Sequence, residues 1–145
     1  MKKYIIYTDG ACSNNQKKKN EGGWAAVILD EDENPVKNIW GHDSNTSNNK
    51  MEMTAIIKGL VYVKKNYLKD KHGAIDVFTD SAYIVNCFKD RWYTKWRANG
   101  WKTSNGKPVQ NKKLWIALLS LVERTDVVVR ILKVEGHSGD VFNER

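Results

Sequence analysis

The sequence predicts an α/β fold with a mixed β-sheet, and two strands that each end on an aspartate carry that prediction. The first, Tyr4–Gly10, is apolar at almost every position, and the second, Ala74–Ser81, also ends on Thr-Asp and a small residue. Such runs are typical of central, buried strands. A helical pattern separates them, so they should lie parallel through a right-handed crossover. Asp9 and Asp80 then meet at one sheet edge, where α/β proteins bind ligands.

Two neighbouring carboxylates at such an edge require compensation. At about 5 Å they repel each other by about 3 kcal/mol at an effective dielectric constant of 20. A cation between them removes that cost, and hard oxygen ligands select Mg²⁺ or Mn²⁺. The sequence therefore predicts a metal site at this edge of the sheet.

The composition is that of an ordinary globular chain. Its 145 residues, 41% hydrophobic and 28% charged, indicate a single domain spanning 1–145. No stretch approaches the length of a membrane span, and no signal peptide precedes the first strand. The two cysteines, Cys12 and Cys87, have neither disulfide-framework nor metal-ligand spacing. We therefore expect reduced thiols in a cytoplasmic protein.

The net charge of +7 is concentrated in one part of the chain. Residues 89–113, which we call the basic segment, contain eight lysines or arginines and one acid, whereas the remainder has 16 basic and 16 acidic residues. The segment alone therefore carries 8 − 1 = +7. A local excess of this kind indicates a surface that binds a polyanion such as a nucleic acid.

The remaining elements follow from periodicity and turn residues. Two further strands and the acidic turn between them predict an antiparallel meander with the first strand. Apolar residues at helical spacing then predict a crossover helix, a short helix before the basic segment and an amphipathic helix after it. The predicted elements are strands 22–29 and 36–41, a helix through residues 53–61, helices 81–88 and 114–122, and a final strand 127–134.

Glu52 is a candidate third carboxylate. It is predicted in the first turn of the crossover helix and heads a stripe of small and apolar residues, Ala55, Ile56 and Gly59. An acid at a helix start usually serves only to complement the helix dipole. This one heads the face that should pack on the sheet, which favours a place beside Asp9 and Asp80.

Aromatic residues alternate with cations in the basic segment. Trp92 and Trp96 are four residues apart and would share a helix face, and Trp101 follows. One or two of these tryptophans are expected in the core. Exposed cations interleaved with aromatic rings also build nucleic-acid grooves, and the localised charge favours that function here.

Five motifs in order, over nearly the whole chain, resemble those of type 1 ribonuclease H. A single motif would be unspecific, but five at compatible spacing are specific. They are Tyr-Thr-Asp-Gly-Ala-Cys at 7–12, Thr-Ser-Asn-Asn-Lys-Met-Glu-Met at 46–53, Phe-Thr-Asp-Ser at 78–81, the tryptophan- and lysine-rich run 92–115, similar to the basic handle of the bacterial enzymes, and Gly-His-Ser-Gly at 136–139 with Asn-Glu-Arg at 143–145.

The resemblance implies a ribonuclease H fold: a five-stranded mixed sheet of order 3-2-1-4-5 with helices on both faces. It implies endonucleolytic cleavage of the RNA strand of an RNA/DNA hybrid, leaving 5′-phosphate and 3′-hydroxyl ends. Two Mg²⁺ or Mn²⁺ ions roughly 4 Å apart would support in-line displacement. The alternatives are a DNA nuclease or strand-transfer relative of the same fold and a module that binds hybrids without cleaving them.

The resemblance also assigns roles to residues. The metal ligands and catalytic carboxylates would be Asp9, Glu52 and Asp80, with His137 assisting water delivery or product release. The hybrid's minor groove, where 2′-hydroxyls mark RNA, would contact asparagines, and the DNA strand would contact the basic segment. The binding residues would be Asn15, Asn48, Asn49, Trp92, Lys95, Trp96, Arg97, Trp101 and Lys102.

The chain departs from the family pattern in three respects. A fourth metal carboxylate usually follows the loop histidine by ten residues, at position 147 here, and the sequence stops at Arg145. We expect that the chain is truncated. The alternatives are that Asp140 or Glu144 takes the place of the fourth carboxylate, or that activity is impaired. The loop after Asn15 carries three lysines at 17–19, which indicate a solvated turn or extra phosphate contacts. No amino-terminal hybrid-binding module is expected, so processivity should rest on the basic segment.

Overall fold

A five-stranded sheet organises the computed structural model, which describes residues 2–13, 21–69, 72–123 and 126–134. The elements of the described part are β1 Lys2–Cys12, β2 Glu21–Asp30, β3 Pro35–Ser44, α1 Asn48–Asn66, β4 Gly73–Thr79, α2 Ala82–Lys89, α3 Trp92–Ala98, α4 Lys112–Val122 and β5 Val127–Lys133.

The strand order confirms the predicted fold class. The sheet runs β3-β2-β1-β4-β5, with β1, β2 and β3 antiparallel and with β4 and β5 parallel to β1. The strand that carries Asp9 and the strand that leads into Asp80 are therefore adjacent at the centre of the sheet. This adjacency brings their carboxyl ends to one edge.

Two strands are longer than predicted. The third strand was expected at 36–41 but covers Pro35–Ser44, because its polar end pairs with the start of β2, where Glu21 lies opposite Ser44. The first strand was predicted to end at Gly10, but β1 continues to Cys12, which pairs with Gly22. Backbone pairing holds both ends, and hydrophobic periodicity does not report it.

The crossover helix α1 begins earlier than predicted. The hydroxyl of Ser47 accepts a hydrogen bond from the N–H of Lys50 at 3.1 Å and caps the helix. Glu52 is therefore in the second turn, not the first as predicted, and it takes no part in capping. The helix packs its buried face on the sheet, and at Gly59 an added Cβ would lie 3.0 Å from the Ile6 side chain.

A buried ion cluster joins three strands on the face of the sheet away from α1. Asp76 on β4 is only 5% exposed. It accepts hydrogen bonds from Arg130 on β5, at 2.8 Å from Nε and 2.7 Å from Nη2, and lies 3.0 Å from the Lys3 ammonium on β1. The Arg130 hydrogen bonds are the main cause of a lowered pKa of Asp76. The cluster fixes the register of the parallel strands.

The basic segment contains α3 and runs from the end of α2 to the first residues of α4, with tight turns between the helices. Arg91 and Asn111, which precede α3 and α4, have φ values of 53° and 62°. At the end of α3, Gly100 has a φ of 76°, which a residue with a side chain rarely adopts. The turn lets the N–H of Trp101 donate to the Trp96 carbonyl at 2.6 Å.

Candidate active site

The two strand-end aspartates lie side by side. Tyr7 and Phe78 are partners in the parallel register of β1 and β4, and Asp9 and Asp80 each follow two residues later. Neighbouring strands are about 4.8 Å apart, and residues two positions further on share a face, so both carboxylates emerge on the same side. Asp9 is exposed and Asp80 half-buried. The sequence-based expectation that both acids share one edge agrees with this geometry.

Asp80 is held in a tight connection to α2. The Ser81 hydroxyl accepts a hydrogen bond from the Ile84 N–H at 3.2 Å and caps the helix. The Ser81 N–H in turn donates to the Thr79 hydroxyl at 3.1 Å. Both neighbours of Asp80 are thereby fixed, which limits where its carboxylate can point.

Glycine at position 10 lets the third acid approach. A Cβ built at Gly10 would lie 2.5 Å from both the Glu52 nitrogen and the Met51 carbonyl carbon, closer than side-chain atoms ever pack. Only a glycine there allows the second turn of α1 to rest on the backbone of β1. This contact brings Glu52 next to Asp9.

Glu52 is a buried carboxylate among like charges. Its side chain is 3% exposed, and the Thr8 hydroxyl lies 3.4 Å from Oε1. Burial first, and then the charges of Asp80 and Asp9, raise the pKa of Glu52 from 4.5 to about 8, although the hydroxyls of Thr8 and Thr79 partly oppose the shift. The Oε2 atom is buried and, within the described residues, has no hydrogen-bond partner.

The three acids open onto one cleft of about 310 Å³, which Gly10, Ala11, Ser81 and two asparagines also line. The Asn48 amide oxygen accepts a hydrogen bond from the Cys12 N–H at 2.7 Å. That bond orients the amide group, whose NH₂ has no hydrogen-bond partner among the described residues and can donate to a ligand. Asn48 and Asn49 therefore border the cleft from the helix side. Their contact with a minor groove stays a prediction.

The donor set fits a divalent ion of the magnesium type. Carboxylate oxygens are the ligands that Mg²⁺ and Mn²⁺ prefer, and the unpartnered Oε2 of Glu52 has unused acceptor capacity. Within residues 2–13, 21–69, 72–123 and 126–134, however, no three acidic, histidine or cysteine side chains are already arranged around one ion position. The three acids line the cleft, and a cation bound there would offset their mutual repulsion.

Three predicted nucleic-acid contacts are tryptophans, and they pack in a cluster. Trp92, Trp96 and Trp101 are half-buried and lie around Trp115 of α4, which is fully buried. The ring centroids of Trp96 and Trp115 are 5.6 Å apart, and those of Trp96 and Trp101 are 6.0 Å apart. We call these four residues the tryptophan cluster. It packs the basic segment against α4 and leaves three of its four tryptophans partly exposed.

The predicted cationic contacts differ from one another. Lys95 and Lys102 are exposed. Arg97 is also exposed, but its guanidinium makes two hydrogen bonds to Glu123 at the end of α4. Charge counting along the chain does not predict this partner, because Glu123 lies outside the basic segment.

Several predicted residues fall outside the described part of the chain. They are Asn15, the lysines at 17–19, His137, Asp140 and Glu144. Their assignments stay predictions from the sequence.

Sequence reasoning overlooked some residues near the site. Ala25 of β2 and Trp40 of β3 continue the row that starts at Asp9, and Trp40 is 74% exposed. A groove of about 380 Å³ runs along this row and joins the acidic cleft at Asp9 and Gly10. Alternating strand positions would have placed Trp40 on this face, had the register of β2 and β3 been known.

Among known protein families, the sequence matches the family model for RNase H over residues 1–145. The chain belongs to the RNase H family. A ribonuclease H from Wolbachia pipientis wMel is 44% identical over 143 residues, which cover 99% of this chain and 89% of the relative. Family membership and fold together support a nuclease activity.

Solved structures share the fold of this chain. LC9-RNase H1, a type 1 RNase H with the type 2 active-site motif, superposes with a TM-score of 0.81 at 26% identity, over 99% of this chain and 68% of that one. A foamy viral protease-reverse transcriptase in complex with an RNA/DNA hybrid matches 92% of this chain and 18% of its own, with a TM-score of 0.74 at 16% identity, and shares the fold. None of the helices in the described part of the RNase H chain is both long and apolar enough to cross a bilayer.

Proposed function

We propose that this protein is a metal-dependent endoribonuclease that hydrolyses the RNA strand of RNA/DNA hybrids and leaves 5′-phosphate and 3′-hydroxyl ends. Residues 1–145 would act as one domain. The observation that carries the proposal is the meeting of Asp9, Asp80 and Glu52 at one cleft in a chain of the RNase H family.

The three carboxylates would hold two Mg²⁺ ions, with Mn²⁺ as a substitute. Bound ions of this kind activate the attacking water and stabilise the leaving 3′-oxygen. The raised pKa of Glu52, about 8, supports a site built for added positive charge, because a cation would restore the ionised form. Asp9, the most exposed of the three acids, would meet the substrate side of the site.

Asparagines would read the RNA strand. The Cys12 N–H holds the amide oxygen of Asn48, and its NH₂, which has no partner in the described part of the chain, would donate to the substrate. Asn49 borders the same cleft. A 2′-hydroxyl accepts such a bond, and deoxyribose offers none, so these residues favour RNA over DNA at the cleavage site. Asn15 would join them, and His137 would assist water delivery or product release.

The basic segment would hold the DNA strand. Lys95 and Lys102 would neutralise phosphates, and the exposed edges of the tryptophan cluster would pack against sugars. The foamy viral relative solved with an RNA/DNA hybrid supports this class of partner. We further propose a monomer in the cytoplasm, where thiols stay reduced. Both cysteines are free, and burial raises the pKa of Cys87 to about 12.

Substrate choice and metal dependence test the proposal together. Labelled RNA/DNA hybrid, double-stranded DNA and double-stranded RNA are each incubated with Mg²⁺ or with chelator. We expect cleavage of the hybrid alone, only with metal. Cleavage of DNA would favour a DNA nuclease of the same fold, and tight hybrid binding without cleavage would favour a binding module.

The substitution Asp9→Asn separates catalysis from binding. It removes a metal ligand while keeping the size of the side chain, so we expect the cleavage rate to fall at least about 10³-fold, with hybrid affinity changed by less than about threefold. Cleavage is followed on a denaturing gel and affinity by fluorescence anisotropy. An equal loss of affinity would mean that Asp9 is structural.

A further inference from the structure

An ion pair joins the basic segment to the end of α4. Arg97 on α3 donates to Glu123, with 2.9 Å between Nη1 and Oε2 and 2.5 Å between Nη2 and Oε1. The two parallel bonds make the pair bidentate, and Arg97 also lies 5.4 Å from the ring centroid of Tyr93. The guanidinium is therefore held in a defined position by a carboxylate.

The carboxylate occupies the face of Arg97 that a phosphate would use. A guanidinium presents the same planar fork to a carboxylate and to a phosphate, so one group cannot hold both in this way at once. Both side chains are 43% exposed, and the pair borders an open cleft of about 380 Å³ beside Trp101 and Ser120. A phosphate can therefore reach the pair from solvent.

Helix stability does not explain an acid at this position. Glu123 is the C-cap residue of α4, where the negative end of the helix dipole disfavours a carboxylate. Surface ion pairs also contribute little to folding stability as a rule. The placement therefore suggests a role in setting the charge of the neighbouring surface.

The surface charge of the basic segment is lower than its sequence indicates. Its eight cations and one acid sum to +7, but Glu123, ten residues beyond its end, contributes a negative charge at Arg97. Within the described part of the chain, Lys95 and Lys102 make no such ion pair. Of Lys95, Arg97 and Lys102, Arg97 is thus the one that already pairs with a carboxylate in the described part of the chain.

We propose that Glu123 tunes substrate affinity by competing with a nucleic-acid phosphate for Arg97. The inference deepens the proposed function and rests on hybrid binding by the basic segment. In the wild-type protein, a phosphate contact at Arg97 exchanges one bidentate ion pair for another, so it adds little affinity. Removal of the Glu123 charge makes the guanidinium fully available. Glu123 is therefore a positioning residue that acts through Arg97.

A double-mutant cycle tests the competition. Hybrid affinity is measured by fluorescence anisotropy in chelator, to prevent cleavage, across a range of KCl concentrations. The variants are Glu123→Gln, Arg97→Ala and the double variant. The matched control is Glu31→Gln, which removes one negative charge in the exposed turn between β2 and β3. Thermal melts accompany each variant, and we expect shifts of no more than a few degrees because both partners are exposed.

We expect Glu123→Gln to bind the hybrid about fivefold tighter near 0.1 M salt, as one additional charge-assisted contact would provide. The slope of log K against log[salt] should steepen by about 0.9, the value for one more neutralised phosphate. In the Arg97→Ala background the gain should be abolished, so that adding Glu123→Gln there changes affinity by less than about twofold. A merely structural ion pair would leave the salt slope unchanged.

Several results would overturn the competition. They are an unchanged or weaker affinity for Glu123→Gln, a gain that persists without Arg97, and an equal gain in Glu31→Gln, which would show a general charge effect. A wild-type protein that does not bind hybrids would instead refute the proposed function itself, and with it this inference.

Discussion

Replacing Glu52 by glutamine should stabilise the metal-free protein at neutral pH. The carboxylate is 3% exposed and lies near Asp80 and Asp9, and its pKa is raised to about 8. Between the unfolded value of 4.5 and about 8, the folded chain therefore holds a proton that the unfolded chain has released. Stability must fall as the pH rises through that window, because ionisation favours the unfolded state. The amide of Glu52→Gln has a similar size and carries no charge at any pH.

The difference between the folded and unfolded pKa values of Glu52 sets the size of the expected stabilisation. At pH 7, which lies about 2.5 units above the unfolded pKa, keeping Glu52 protonated in the folded chain costs at most about 3 kcal/mol, at 1.36 kcal/mol per unit. An amide N–H without a partner would offset part of the gain, so we expect about 1–3 kcal/mol. For a chain of this size that corresponds to a rise in Tm of about 3–10 °C. Near pH 4.5 the electrostatic gain should vanish, which leaves the variant no more stable than the wild type and less stable by any cost of the unpaired amide N–H.

Urea unfolding of both proteins in chelator, at about pH 5 and about pH 8, measures this difference. Glu31→Gln controls for the loss of an exposed carboxylate and should change stability by no more than about 0.5 kcal/mol. Mg²⁺ should then stabilise the wild type more than the Glu52→Gln variant, since only the folded wild type has all three ligands. A difference between the two proteins that does not grow with pH would refute the electrostatic argument.

Three further predictions concern packing, the buried ion cluster and the basic segment. Gly10→Ala should cost more than about 2 kcal/mol in urea unfolding, because its Cβ would lie 2.5 Å from the backbone of α1, whereas Gly23→Ala, with its nearest neighbour at 3.8 Å, should be tolerated. Asp76→Asn should cost about 2 kcal/mol at pH 7, and because the pKa of Asp76 is lowered, that difference should vanish as the pH falls below 3.8; a pH-independent cost would exclude the ion cluster as its cause. Replacing Lys95 and Lys102 with glutamine should weaken hybrid binding and flatten its salt slope by up to about 1.8, and an unchanged slope would exclude them as phosphate contacts.

The fold was predictable because its signals are local. Apolar runs ending on Asp9 and Asp80, with a helical pattern between them, are enough to imply adjacent parallel strands. The ends of the strands were harder to predict from the sequence, because the polar end of β3, up to Ser44, belongs to the sheet through backbone pairing alone. Asp76 gave an overlooked signal, since an acid inside an apolar strand needs a cationic partner, here Arg130.

The candidate site was predicted in outline. Glu52 was found through the stripe it heads, but its depth in the helix was misjudged because Ser47 caps earlier than expected. The close approach at Gly10 depends on how two elements cross, which no local pattern encodes. The pairing of Arg97 with Glu123 likewise joins residues 26 positions apart, so charge counting along the chain missed it.

The six tryptophans form two separate groups, and the fluorescence of each group reports on a different part of the molecule. Four of them form the tryptophan cluster, so their emission will follow the packing of the basic segment against α4. The other two, Trp24 and Trp40, border the groove on β2 and β3, and Trp40, 74% exposed, should emit at longer wavelength. Replacing both Trp24 and Trp40 with phenylalanine would isolate the clustered emitters, and quenching by an added oligonucleotide could then be assigned to one end of the molecule or the other without any attached dye.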